Sequence, residues 1–114
     1  MDSPRHFSAS IQKAVALDYL WFQPEEVSRQ NTWPLVLFLH GADERGSDVS
    51  ILRRHGIPRV TAERTDWPFF ACSPQCPADE NWHVEVDAVM ALLDHLIAKA
   101  PIDPARVYRA LHGR

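Results

Sequence analysis

The chain has 114 residues, 46% of them hydrophobic and 24% charged, with a formal net charge of -3. That composition excludes a disordered or collagenous chain, and the length suits one domain of the usual ~100–200 residues. The apolar runs fall far short of the ~20 residues a membrane helix needs, and basic residues are interleaved with acids rather than gathered into a nucleic-acid-binding stripe. No membrane span and no nucleic-acid partner are therefore expected. Residues 1–10 also lack the basic-then-apolar order of a signal peptide, which makes the cytoplasm the expected compartment.

In chain order, residues 1–14 read as an N-terminal segment, part of which (residues 7–13) is a candidate partner for a first hairpin. Residues 16–22 mix alternation with β-favouring aromatics and meet Gln23-Pro24, which reads as a strand closed by a loop. Leu35-Val36-Leu37-Phe38-Leu39 is continuously apolar, the pattern of a strand buried on both faces of a parallel sheet. The polar loop from His40 to Gly46 follows. Ser47 or Asp48 then caps a helix to about His55, ended by Gly56. Pro58 suits the first turn of a second short helix to about Arg64.

Residues 68–73 form a second short apolar strand, closed by Pro74 and Pro77. Between residues 81 and 100, Val86, Val89, Met90, Leu93, Leu96 and Ile97 recur at three and four residues, which predicts an amphipathic helix. Asp79 or Asn81 is its expected cap, and Pro101 its stop. Ile102-Asp103-Pro104 reads as a turn and Arg106-Val107-Tyr108 as the start of another strand. Alternation of this kind predicts an α/β fold with a mainly parallel sheet and flanking helices.

Cys72 and Cys76 stand four apart in a Pro-rich turn. Two thiols supply at most half a zinc site, and a reducing compartment disfavours a disulfide. Free thiols are expected, with no metal and no cofactor. His6, His55, His83 and His95 fall on expected surface or helix positions, with no serine on a strained turn beside them.

In open α/β sheets, ligands bind beyond the carboxyl ends of the strands. The segment in that position is His40-Gly41-Ala42. A glycine there is free to take positive φ and turn the chain sharply, leaving N–H groups available to an oxyanion; such donors are worth about 3–4 kcal/mol each in acyl transfer. The surrounding pieces come in one order: Pro34-Leu35-Val36-Leu37-Phe38-Leu39-His40-Gly41-Ala42, then Asp43-Glu44-Arg45-Gly46-Ser47-Asp48, His55-Gly56-Ile57-Pro58, Ser73-Pro74-Gln75-Cys76-Pro77, Trp82, and Ile102-Asp103-Pro104-Ala105-Arg106-Val107-Tyr108. Together they resemble the N-terminal part of a bacterial α/β-hydrolase of the phospholipase/carboxylesterase and dienelactone-hydrolase-like group. The resemblance covers about residues 15–108.

It implies that Ala42 offers the oxyanion-hole N–H, with His40 and Gly41 shaping the loop, and that the full-length family acts on a small ester or acyl substrate. Asp43 departs from the family's commoner second glycine. In such hydrolases a Gly-x-Ser-x-Gly elbow carries the nucleophile, and Asp/Glu and His follow later in the chain. The strand begun at Arg106 leads toward that elbow, but the sequence reads Arg109-Ala110-Leu111-His112-Gly113-Arg114 and contains no Gly-x-Ser-x-Gly. Ser73 follows a strand, yet Pro74 removes an N–H where a donor is wanted.

The expectation is thus an incomplete α/β-hydrolase domain over residues 15–114, truncated before its nucleophile elbow and inactive alone. One choice of codons for Gly-Leu-Ser-Met-Gly-Gly, read one base earlier, encodes Arg-Ala-Leu-His-Gly-Arg. A frameshift near Tyr108 is the corresponding expectation. The last strand would then be an exposed edge, a template for self-association. Two readings compete: a non-catalytic interaction module that pairs with a separately encoded C-terminal part, and a metal-binding domain using Cys72, Cys76 and a histidine.

Overall fold

The computed structural model describes residues 2–111. It is a small mixed α/β unit with a four-stranded sheet: β1 (Tyr19–Phe22), β2 (Trp33–Leu39), β3 (Phe70–Pro74) and β4 (Ile102–Leu111). The spatial order is β1-β3-β2-β4. β2 runs parallel to both β3 and β4, and β1 runs antiparallel to β3. Two α-helices connect the parallel strands, α1 (Gly56–Glu63) and α2 (Val86–Lys99).

The β2–α1–β3 connection steps one way across the sheet, and β3–α2–β4 steps back over β2. Right-handed crossovers in opposite directions place their helices on opposite faces. Side-chain alternation bears this out. Trp33, Leu35 and Leu37 of β2 join Phe70 and Cys72 of β3 under Val89 and Leu96 of α2, and Ile102 completes that core. Phe38 points the other way, against the start of α1.

Several elements differ from expectation at their ends. Residues 2–18 carry no helix or strand, and β1 pairs with β3 alone among the described strands, so the hairpin partner expected in residues 7–13 is not formed. The helix expected from Ser47 or Asp48 is a 3-10 turn, Val49–Arg54, and Asp48 caps it by accepting the Ser50 N–H at 3.0 Å. That turn ends at Arg54 with His55 as its cap, and Gly56, at φ +61°, is the first residue of α1 rather than the stop expected of it. α2 begins at Val86, several residues later than expected; Asn81 instead caps the preceding turn, accepting the Val84 N–H at 3.1 Å.

The turn expected at Ile102-Asp103-Pro104 sits inside β4 as a bulge. Trp33 pairs with Ile102 and Leu35 with Val107, so Pro34 faces an outward loop of β4. A proline is tolerated in a central strand where no ladder partner awaits its missing N–H. Asp103 holds the bulge by accepting the Ala105 N–H at 2.9 Å and pairing with Arg106 at 3.0 Å. These bonds, and the Arg106 guanidinium, hold its carboxyl below the usual carboxylate range. No helix among the described residues is long and apolar enough to cross a membrane.

Candidate active site

β2 has β3 on one side and β4 on the other, and the chain leaves β3 and returns at β4 by crossing β2. That reversal makes the carboxyl end of β2 the topological switch point, where open α/β sheets bind ligands. His40-Gly41-Ala42 begins there, directly after Leu39. Ala42–Glu44 forms one 3-10 turn, whose opening N–H groups, those of Ala42 and Asp43, lack intrahelical acceptors. Ala42 and Asp43 are both exposed.

His40 is buried, with 3% of its surface exposed. Its Nε2 accepts the Cys76 N–H at 2.9 Å, so the ring proton sits on Nδ1 and is donated to the Gly41 carbonyl. The Trp82 indole N–H donates to the His40 carbonyl at 3.0 Å, and the two rings lie 4.9 Å apart. Arg45 adds a second clamp: Nε donates to the Ala42 carbonyl and Nη1 to the Glu80 carbonyl, each at 3.0 Å. Deeper in, the Gln75 amide donates to the carbonyls of Glu44 and Asp48 at 3.0 Å each. The loop is thus tied to the segment after β3 by side chains that cap backbone groups on both sides.

Gly41 does not supply the expected sharp turn. Its φ is -79° in an extended conformation, and positive φ falls instead on Gly46 and Gly56. The loop's direction comes from the 3-10 turn and the His40 clamp. A hollow of about 170 Å³ lies beside it, lined by His40, Gly41, Ala42, Cys76, Asn81 and Trp82. Ser73 is buried on the α1 face of the sheet and lines a different hollow with Phe22, Pro58 and Ala71. Glu44 is buried as well, with His55 Nε2 at 3.9 Å from its carboxylate.

Cys72 and Cys76 are both free and buried. Cys72 pairs in register with Trp21 and Leu37 inside the sheet, whereas Cys76 lies beside His40. Among the described residues, no group of three or more His, Cys, Asp or Glu is placed to hold a metal ion. Burial pushes the Cys72 thiol up to about 12. The Cys76 thiol is also raised, chiefly by burial and then by the Glu85 charge.

Sequence reasoning located the loop but missed its clamps. Trp82 stood out only as one piece of a family pattern, and nothing in the spacing of Arg45 or Gln75 marks a bond to a distant backbone. Of the Arg109–Arg114 segment, residues 112–114 lie outside the described residues.

No protein-family model matches the chain. No curated protein matches it either. A solved structure described as a thermostable esterase superimposes with a TM-score of 0.66 at 27% sequence identity, covering 87% of this chain and 31% of that one. The chain therefore spans about a third of that esterase's length, and its fold is esterase-like.

Proposed function

We propose that this chain is the N-terminal part of a serine hydrolase that acts on carboxylic esters, of the phospholipase/carboxylesterase or dienelactone-hydrolase-like kind, working in the cytoplasm. The observation that carries the reading is the thermostable-esterase likeness over 87% of the chain. Residues 15–114 would belong to the hydrolase domain and residues 1–14 would lead into it. His40, Gly41 and Ala42 would form the oxyanion loop, with Ala42 N–H as donor and the His40–Cys76 bond holding the loop in place. A loop at the switch point, held by buried bonds and opening on a small hollow, is suited to that role.

The nucleophile, acid and base would come from polypeptide outside these 114 residues, since the sequence holds no Gly-x-Ser-x-Gly. The chain alone is then inactive, because an oxyanion donor without a nucleophile gives little rate. Expressed by itself, it should hydrolyse a short-chain activated ester no faster than buffer does. Turnover abolished by a serine-directed inhibitor would overturn the inactivity. Codons for an elbow, then Asp and His, in any frame downstream of Tyr108 would support the family reading, and their absence would sink it.

A second reading is a non-catalytic half-domain that pairs with a separately encoded C-terminal part. The observation favouring it is β4, which has one strand neighbour among the described residues. Co-expression with such a part that leaves the ester assay silent would count against it.

A further inference from the structure

We propose that the hollow between α1 and the β1–β3 pair binds a short aliphatic carboxylate, with Ser73 and Arg53 holding its carboxylate group. Strand alternation builds the floor. Cys72 faces the core under α2, so Ala71 and Ser73 face α1, and Phe22 and Leu20 of β1 stand beside them in register. Pro58, Thr61 and Ala62 of α1 wall the space, which measures about 200 Å³. Every lining residue lies between positions 20 and 73, well inside the chain.

Two polar groups gather at one end of it. β2 and β3 are parallel and α1 connects them, so α1 starts at the carboxyl ends of the strands. Arg53 comes just before α1, and Ser73 lies beyond Ala71 along β3, which puts both at that end. Ser73 is 3% exposed, and its hydroxyl has no hydrogen-bond partner among the described residues. Arg53 is the one charged residue lining the hollow and makes no ion pair among the described residues. Asp48, which feels the Arg53 charge, is bonded to the Ser50 N–H and hydroxyl instead. The Thr61 hydroxyl donates to the Ile57 carbonyl at 3.0 Å. Phe22, Ala71 and Ala62 make the other end apolar.

A polar end beside an apolar bed selects an amphipathic anion. The Ser73 hydroxyl and the Arg53 guanidinium both donate, so the ligand's head must accept. Arginine stays cationic at any ordinary pH, and no acid lines the hollow among the described residues, so a negative head is favoured. Arg53 is itself exposed, which lets the head keep part of its hydration and lowers the cost of burying a charge. An inorganic anion would leave the apolar end to water. The space holds roughly six or seven water-sized volumes of ~30 Å³, which matches the ~six non-hydrogen atoms of butyrate and is too small for a long fatty acid.

The inference does not rest on the esterase reading; binding decides it, and turnover decides the other. Sodium butyrate, titrated into the isotope-labelled chain with chloride balancing the ionic strength, should shift the Ala62, Ala71 and Ser73 amide resonances to a plateau. Butyramide keeps the size without the charge, and inorganic phosphate keeps the charge without the alkyl body. Each should bind roughly tenfold or more weakly than butyrate. Ser73→Ala should weaken butyrate binding by about tenfold, and Arg53→Gln by about threefold, because an exposed pair contributes less. If Ser73→Ala fails to fold by circular dichroism, Arg53→Gln, at an exposed position, still decides. Shifts that never plateau, butyramide or phosphate binding as tightly as butyrate, or a folded variant of either residue that binds like the parent would each overturn the proposal.

Discussion

Gly56 carries two independent constraints. Its φ of +61° lies in the left-handed region, and a Cβ there would come within 2.4 Å of the Phe38 ring. A left-handed residue with a side chain costs ~1–2 kcal/mol, and forcing a methyl into a packed aromatic costs ~1–3 kcal/mol. Gly56→Ala should therefore lower the unfolding free energy in urea by about 2–5 kcal/mol. Phe38→Leu in the same chain should recover the steric share and leave the backbone share. A Gly56→Ala protein as stable as the parent would mean that α1 does not pack on β2 as described. The same residue shows what sequence can and cannot supply. Glycine marks the end of the helix expected after Asp48, yet no local rule announces a ring eighteen residues earlier in the chain pressed against its Cα.

Among the elements, β2 was the most legible, because five consecutive apolar residues leave no polar face for solvent. β4 was the least. Asp103-Pro104 has turn chemistry and does turn, but as a bulge, and only the pairing of Leu35 with Val107 reveals that the strand resumes. The start of α2 was misplaced for a related reason: Asn81 does cap, but it caps the turn before the helix. The His40 clamp was invisible because its partner, the Cys76 N–H, is a backbone group brought near by the β2–β3 pairing. β3 has a consequence of its own. It is buried along its whole length, and its Cys72 thiol is pushed from 9.0 up to about 12 by that burial. The native protein should expose almost no thiol to a disulfide reagent at mildly alkaline pH, and both thiols once unfolded in urea. The unfolded state ionises Cys72 near its ordinary value, whereas the folded state keeps it neutral. The stability this supplies is thus complete below pH 9 and is lost as pH rises toward 12. The slope contributed approaches ~1.4 kcal/mol per pH unit. Cys72→Ala should flatten the alkaline limb of stability against pH by that amount, and an unchanged limb would refute the burial argument.

At the scale of the whole molecule, the radius of gyration is 17.2 Å and the longest extent 67 Å. A compact chain of this length has a radius near ~13 Å. The excess is accounted for by residues 2–16, which carry no regular element and leave Phe7 and Ile11 each 87% exposed. Lys13 meets Asp87 at 3.6 Å, but both side chains are largely exposed, and such pairs contribute little. The packed body begins at Leu17, which lies against the core, and at Asp18, whose carbonyl accepts the Gln75 N–H at 2.9 Å. A chain beginning at residue 15 should therefore melt within ~2 °C of the parent, because nothing it loses is buried. One beginning at residue 19 loses the Leu17 contacts and leaves the Gln75 N–H without its acceptor. That should cost about 1–3 kcal/mol, lowering the melting midpoint by several degrees. Calorimetry on the two truncations separates the cases. Equal losses would place the N-terminal segment within the folded unit, and equal stabilities would deny Leu17 its place in the core.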